Sequence, residues 1–386
     1  MGAITLMALT LIHTSDWQIG KVFGFVDEQT LGLLQRARLD AIDRIGSLAA
    51  ARGVRHVLVA GDVYDTQDVT QRLLLQPIER MRAFDDVIWH LLPGNHDPDQ
   101  PFGIWDRLAR TELPGNIVIH ADAEPYLHEA DRLAILPAPL KHFRSLEDLT
   151  DWMNDAATPD GYYRIGLAHG SIRSFGSDES QAANFIDPQR PQLAALSYLA
   201  LGDWHGTQKI NERVWYSGTH ETDAYDVIDG GNTLLVTLDS PEATPAVEKI
   251  ATGSYHWHRE EVTLSGRSDI DALAQRLRAL LPAPLSNHLV RLGVSGTLSL
   301  EDSHYFDSLV HGSVDAALAQ LRIDNRILPM PSEEDLAQFG PGGYIRLAAD
   351  RLMAMARDAE NDERELAALA LQRLYVEYRA LGGIDA

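Results

Sequence analysis

The chain has 386 residues, enough for two or three domains and a large core. Its hydrophobic content of 45% and charged content of 23% are those of an ordinary globular protein, and its net charge of −23 argues against nonspecific polyanion binding over the whole surface, though not against a local basic groove. The absence of cysteine excludes disulfides, thiolate ligands and a cysteine nucleophile, and no stretch approaches the roughly 18 apolar residues of a membrane span.

The apolar run Ala3–Ile12 has no preceding Lys or Arg and passes straight into His13, Thr14, Ser15 and Asp16. It reads as a first strand, Leu9–His13, not as a signal peptide, and a cytoplasmic location is the default. Asp16, Trp17 and Gln18 follow it. Asp27–Ala51 reads as a long helix, with Leu31, Leu34, Leu39, Ile42, Ile45 and Leu48 as its apolar positions and its end near Gly53. Two short apolar runs come next, His56–Ala60 and Asp86–Leu92. The first opens into Gly61, Asp62, Val63, Tyr64 and Asp65, the second into Pro93, Gly94, Asn95, His96 and Asp97. A buried parallel strand reads as such a run, and its carboxyl end opens into a loop. Between them Asp68–Phe84 spaces Val69, Leu73, Leu74, Ile78 and Met81 on one helix face, with an interruption or kink expected at Pro77. Strand, helix and strand make a βαβ unit that brings both polar clusters to the sheet edge where open α/β sheets bind ligands. His56 and His90 read as satisfied structural histidines.

Pro101–Arg110 reads as a short helix, Ile117–Ile119 and Leu133–Leu136 as strands, and Ser145–Asn154 as a helix opened by Ser145. Tyr163–Ala168 is an apolar strand ending at His169 and Gly170. The polar stretch Ser171–Pro191 reads as a long loop over the site. Leu193–Leu201 then leads into Gly202, Asp203, Trp204, His205 and Gly206. Val214–Tyr216, Thr233–Leu238 and Ala246–Ile250 are expected to be antiparallel strands finishing a second sheet. Near Gly253 the texture changes. Strands at Glu261–Leu264 and Leu289–Val294 and helices at Ile270–Leu281 and Tyr305–Leu321 suggest a small α+β module. Pro329 and Pro331 suggest a linker, followed by amphipathic helices at Tyr344–Ala359 and Asp362–Arg379. The expected division is 1–252, 253–328 and 329–386.

Each polar cluster follows an apolar run, so each can sit at the end of a strand. Asp62 and Asn95 offer oxygen donors suited to hard divalent ions, and His96 can ligate or move protons near neutral pH. Any one turn could be an ordinary helix cap. Five such clusters in order, at Asp16 and Gln18, Asp62 and Asp65, Asn95 to Asp97, His169, and Asp203 and His205, point to a metal.

This arrangement resembles the calcineurin-like metallophosphoesterase superfamily, whose motifs run D-x-H, G-D-x-x-D, G-N-H-[DE], a lone His and G-H-x-H. The resemblance spans roughly residues 9 to 220. His13 to Trp17 is further similar to the start of SbcD-type DNA repair exonuclease subunits, and so, less specifically, is the two-part tail. The resemblance implies an α/β fold: a two-sheet sandwich flanked by helices (1–252, the nuclease domain), a small α+β capping domain (253–328) and a C-terminal helical partner-binding segment (329–386).

It also implies two metal sites, one of Asp16, Gln18, Asp62 and His205, the other of Asp62, Asn95, His169 and Asp203. Asp62 bridges them. His96 would lie outside the coordination shell beside the phosphate as the catalytic acid, with Asp65 and Asp97 orienting their neighbours. Two cations roughly 3.5–4 Å apart can clamp and polarise a phosphodiester and activate water. Gln18 and Asp203 stand where the family has histidine. Both replacements are oxygen donors, so Mn²⁺ is the expected cofactor, with Mg²⁺ also usable and Zn²⁺ poor. Trp17 and Trp204, beside these residues, read as packing groups more than as base-stacking ones. The implied partners are DNA, a coiled-coil ATPase of the SbcC type and a second copy of the chain, with no membrane. The chain has no P-loop of its own. A phosphodiesterase for small nucleotides and a scaffold with degenerate sites are the competing readings.

Overall fold

The structure is a computed structural model that describes residues 8–172, 184–282, 284–331, 333–337, 339, 343–358 and 360–380. The chain forms two compact units, Met1–Tyr255 and His256–Ala386.

In the first unit the strands begin with β1 (Leu9–Thr14), β2 (His56–Val59), β3 (Ile88–Leu91), β4 (Ile117–Ile119), β5 (Tyr126–His128), β6 (Leu133–Ala138) and β7 (Tyr163–His169). A short pair follows, β8 (Ser171–Ile172) and β9 (Phe185–Ile186). The rest are β10 (Tyr198–Gly202), β11 (Gln208–Lys209), β12 (Val214–Tyr216), β13 (Asn232–Leu238) and β14 (Ala246–Ala251). Helices α1 (Glu28–Arg52), α2 (Gln71–Arg82), α3 (Ile104–Ala109) and α4 (Arg190–Leu193) lie among them.

Two mixed six-stranded sheets result, ordered β14-β13-β1-β2-β3-β4 and β11-β12-β10-β7-β6-β5. β1 to β4 are parallel, as are β6, β7, β10 and β12. Side chains alternate across each strand and so feed different cores. Leu9 and Leu11 of β1 join Leu58, Ile165 and Val236 between the sheets, while Ile12 joins Ile42, Ile45 and Ile78 under α1 and α2. The second sheet's outer face packs Leu136, Leu199 and Leu201 on Met153, Ile172 and Ile186.

The helix signals in the sequence act as read at α1. Asp27 accepts from Thr30 N, and Gly53 closes the helix at φ 65°. Other expectations change. α2 runs through Pro77 without a break, with Pro77 buried on the core face. Helix Ser145–Asn154 does not form beyond a single 3₁₀ turn at Asp151–Asn154. There Ser145 bonds Glu147, and the Asp148 carboxylate takes Thr150 N, Asp187 N and Arg190, so side chains hold the backbone in a non-helical path. β13 and β14 are antiparallel but complete the first sheet, and β12 lies parallel to β10 in the second. Of the loop read at 171–191, residues 173–183 lie outside the described residues; the remainder forms the β8–β9 pair and α4.

The second unit carries β15 (His256–Leu264), α5 (Arg267–Arg278), β16 (His288–Ser299), α6 (Leu300–Phe306) and β17 (Gln320–Met330). α6 continues into a π-helical stretch, Asp307–Val314, in place of the single helix expected to Leu321. The strands form a parallel sheet, β15-β16-β17, over a core of Leu273, Leu277, Val290, Leu292, Phe306 and Val310. Pro329, expected in a linker, lies in β17 opposite Leu298. After α7 (Glu333–Ala337), helices α8 (Tyr344–Arg357) and α9 (Arg364–Ala380) pack through Ala349, Met353, Ala368, Leu371 and Tyr375. Among the described residues no helix is long and apolar enough to cross a membrane.

Candidate metal centre

The carboxyl ends of β1, β2 and β3 in one sheet and of β7 and β10 in the other meet at one rim. The main chain ties them together before any side chain is considered. Asp16 N donates to Gly61 O at 3.1 Å and Gln18 N to Asp62 O at 2.8 Å. Asp203 N lies 3.2 Å from each carboxylate oxygen of Asp16, and His96 N donates to Asp62 Oδ1 at 2.9 Å. The loops hold strain where these bonds are made: Asp16, Gln18, Asp62 and Asp203 have φ of 53°, 39°, 54° and 107°. Non-glycine residues rarely occupy that region, and such strain gathers at functional sites. Gly94 permits a close approach, since a Cβ there would stand 2.2 Å from Asp62 Oδ1.

The donor set fits a cation. Asp16, Asp62 and His169 are buried, and their ligand atoms lie within 4.8 Å of one another. His169 Nδ1 donates to Ala60 O at 2.8 Å, which fixes the tautomer and leaves the Nε2 lone pair for the centre. That Nε2 is 3.5 Å from Asp62 and 3.8 Å from Asp203. Asn95 turns its amide oxygen inward, 2.8 Å from His169 Nε2 and 3.2 Å from each Asp62 oxygen. With the amide reversed, its nitrogen would instead donate to Asp62 Oδ1 and Oδ2. Burial alone would lower the His169 pKa, but Asp62, Asp16 and Asp203 together raise it to about 9. Burial, with Asp62, likewise pushes the Asp16 carboxyl up against the pull of His169 and His205. In metal-free protein the cluster therefore holds protons where a cation would sit.

The remaining predicted residues reach the same rim in different ways. His205 Nδ1 bonds Asp223 Oδ1 at 3.0 Å, and its Nε2 faces Asp16 Oδ1 at 3.9 Å. Asp203 Oδ2 accepts from Ser171 Oγ at 2.6 Å. Gln18 is present, but its Oε1 accepts from Lys21 Nζ at 2.6 Å and its amide nitrogen faces His205 Nε2 at 3.3 Å. Ligation through the Gln18 oxygen thus requires release of Lys21. His96 stands at the edge, half-buried, with Nδ1 donating to Asp65 O at 2.9 Å. Asp65 orients it through its main-chain carbonyl. Asp97 is buried and braces two motif loops, accepting from Gly94 N at 2.7 Å and Tyr64 N at 3.0 Å. Trp17 is wholly buried against His220 and Trp89, whereas Trp204 is 53% exposed.

Three supporting residues escaped the sequence reading. Asp223 is buried and bonds His205; burial would raise its pKa, but His205, Arg38 and Lys21 hold the carboxyl far below the usual range. Arg38, buried on α1, donates to Trp17 O, Asp16 O and Glu221 O and so ties the first motif to residues 219–221. Lys21 Nζ links Gln18 to Asp223, the latter at 2.8 Å. The signal for Asp223 was available: Val214–Tyr216 is an apolar run opening into Gly218, Glu221 and Asp223, in the same grammar as the other clusters. Arg38 gave none, because a long side chain on a helix face reads as solvated.

Residues 9–195 match the family Calcineurin-like phosphoesterase. Two solved structures are similar at low identity. One is the crystal structure of TT1561 of Thermus thermophilus, 12% identical, covering 64% of this chain and 100% of that one with a TM-score of 0.39. The other is purple acid phosphatase PPD1 from yellow lupin (Lupinus luteus) seeds, 13% identical, covering 64% of this chain and 52% of that one with a TM-score of 0.40.

Proposed function

We propose, from the membership of residues 9–195 in the calcineurin-like metallophosphoesterase superfamily, that this hydrolase is a metal-dependent DNA nuclease of the SbcD type. The observation that carries the reading is the single cluster of Asp16, Asp62, Asn95, His169, Asp203 and His205, with His96 at its edge. Asp62 would hold both ions, Asp16 and His205 the first, and Asn95, His169 and Asp203 the second. When bound, two divalent cations supply Lewis-acid charge stabilisation and make water a stronger nucleophile. His96, oriented by the Asp65 carbonyl, supplies the proton for the leaving oxygen. The oxygen-rich donor set favours Mn²⁺ over Zn²⁺ in turnover, with Mg²⁺ weaker.

Two surface features support a nucleic acid as substrate. Trp204, beside Asp203, and Phe143, whose ring lies 6.2 Å from that of His96, are each about half exposed, at 53% and 52%. Aromatic faces of this kind stack bases without reading sequence. On α8 and α9, Leu347, Leu366, Leu369 and Val376 are exposed, which suits a coiled-coil ATPase of the SbcC type as partner. A homodimer is part of the same reading.

The net charge of −23 favours a second reading, hydrolysis of small nucleotides or other phosphoesters. Comparing duplex DNA, single-stranded DNA and a cyclic nucleotide with Mn²⁺ tests the choice. Cleavage of DNA well above the cyclic nucleotide is expected; the reverse order would leave the nuclease reading without support. Leu366→Asp with Leu369→Asp should abolish ATPase binding and leave hydrolysis intact.

A further inference from the structure

We propose that the chain holds a second, separate metal site for a zinc-like divalent cation, built from His56, His128 and Asp131 at the rim of the sandwich opposite the catalytic centre. The proposal does not depend on the nuclease reading. His56 is the first residue of β2, and Asp62 lies past its last, about 20 Å further along an extended chain. His128 ends β5 and Asp131 sits in the turn before β6, so the three ligands come from both sheets.

The geometry is that of a half-closed coordination sphere. His56 Nε2 is 2.9 Å and His128 Nδ1 3.1 Å from Asp131 Oδ2, and the three ligand atoms lie within 4.8 Å of one another. Tetrahedral zinc with bonds of about 2.0–2.2 Å separates its ligands by about 3.3 Å, so each histidine needs to part from Asp131 Oδ2 by only a few tenths of an ångström. His128 Nδ1 is the second observation. It is out of contact with water and makes no hydrogen bond, although Asp131 is close, because the carboxylate lies out of line with it. Arg55 Nη1 also donates to Asp131, 3.2 Å from Oδ2 and 3.5 Å from Oδ1, so an ion would share this carboxylate with a guanidinium.

Behind the site, the imidazoles form a relay. His56 Nδ1 bonds His90 Nε2 at 3.0 Å, and His90 Nδ1 bonds His120 Nε2 at 3.0 Å. The rings of successive members stack at 5.3 and 5.2 Å. For His56 Nε2 to present a lone pair, Nδ1 must carry the proton and donate to His90, and each ring passes the same demand onward. Such outer-shell bonds fix the tautomer of a ligating histidine. Two imidazoles and one carboxylate, with a fourth position open, suit zinc better than manganese or magnesium.

The test is metal stoichiometry in the full chain. Wild type and His128→Ala, equilibrated with micromolar Zn²⁺ and desalted, are compared by elemental mass spectrometry. The variant should hold one ion fewer per chain, with phosphodiester turnover within about twofold of wild type. Co²⁺ should give the intense visible bands of a tetrahedral centre in Asp62→Asn with His169→Ala, and Asp131→Ala should remove them. Equal zinc content in wild type and His128→Ala overturns the proposal, as does a Co²⁺ spectrum without tetrahedral bands. Should His128→Ala unfold by circular dichroism, His128→Gln and the Co²⁺ spectrum decide between the same outcomes.

Discussion

The two rims of the sandwich carry histidines under opposite electrostatic control. Burial lowers the pKa of His169 at one rim and of His56, His90 and His120 at the other. Only at the catalytic rim do three carboxylates, Asp62, Asp16 and Asp203, overcome it and lift His169 to about 9. At the opposite rim imidazole faces imidazole, and His56 and His120 fall to about 4 with His90 well below its usual value. The same side chain in the same fold is made a proton holder or a neutral relay by its neighbours. The carboxylate-rich rim suits hard, chemically active cations; the imidazole-rich rim suits a structural one.

The comparison can be broken most sharply at His96. His96→Asn should lower turnover by roughly 10²–10⁴ while leaving the metals bound, because the proposed mechanism places His96 beside the cluster as a proton donor and not among its ligands. Full metal content with unchanged turnover would remove His96 from the mechanism. A smaller effect is expected at Asp97. Asp97→Ala leaves Gly94 N and Tyr64 N without their partner, which should cost about 1–3 kcal/mol of unfolding free energy for each buried donor left unpaired. Urea titration reads it, and an unchanged midpoint would mean that Asp97 braces nothing. Trp204→Ala should weaken single-stranded DNA binding by about 1–3 kcal/mol, the usual value of one stacked base. Equal binding by wild type and variant in a fluorescence titration would dismiss the stacking role.

The pH response should separate the rims by sign. In chelated protein His169 has a raised folded pKa, so its stabilising contribution is complete below about 6.5 and is lost as pH rises through about 9. His56 and His120 have lowered folded pKa values. Their contribution is present above about 6.5 and is lost as pH falls through about 4. Histidine NMR titration should find His169 protonated at pH 8 and His56 and His120 neutral at pH 5. A shared midpoint near 6.5 would erase the contrast between the rims.

The candidate metal centre was legible in the sequence because each of its residues closes an apolar strand or follows one within a few positions, with glycine marking the close approach. Asp16, Asp62, Asn95, His96, His169, Asp203 and His205 all reach it. The other rim was not legible. His56 and His90 begin or fill apolar strands, and His128 and Asp131 belong to a hairpin of the other sheet, so only the packing of the two sheets brings them together. Gln18 shows a second limit, since nothing local says that Lys21 takes its oxygen. Sheet membership was missed for a similar reason: β13 and β14 look antiparallel in either sheet, and the choice depends on pairing with β1 across more than two hundred residues. The failed helix at Ser145 reflects side chains that outcompete helical bonds through partners distant in sequence, Asp187 and Arg190.

The central claim is that Asp62 joins both halves of a two-metal phosphoesterase centre. It is tested most directly by hydrolysis of bis-p-nitrophenyl phosphate in chelated protein reconstituted with Mn²⁺, for wild type and Asp62→Asn, with bound manganese measured in parallel. Wild type should recover turnover with about two manganese ions per chain at the catalytic rim. Asp62→Asn should lose both ions and the turnover with them, while remaining folded by circular dichroism. Wild-type hydrolysis by Asp62→Asn, or none by manganese-loaded wild type, would contradict the account.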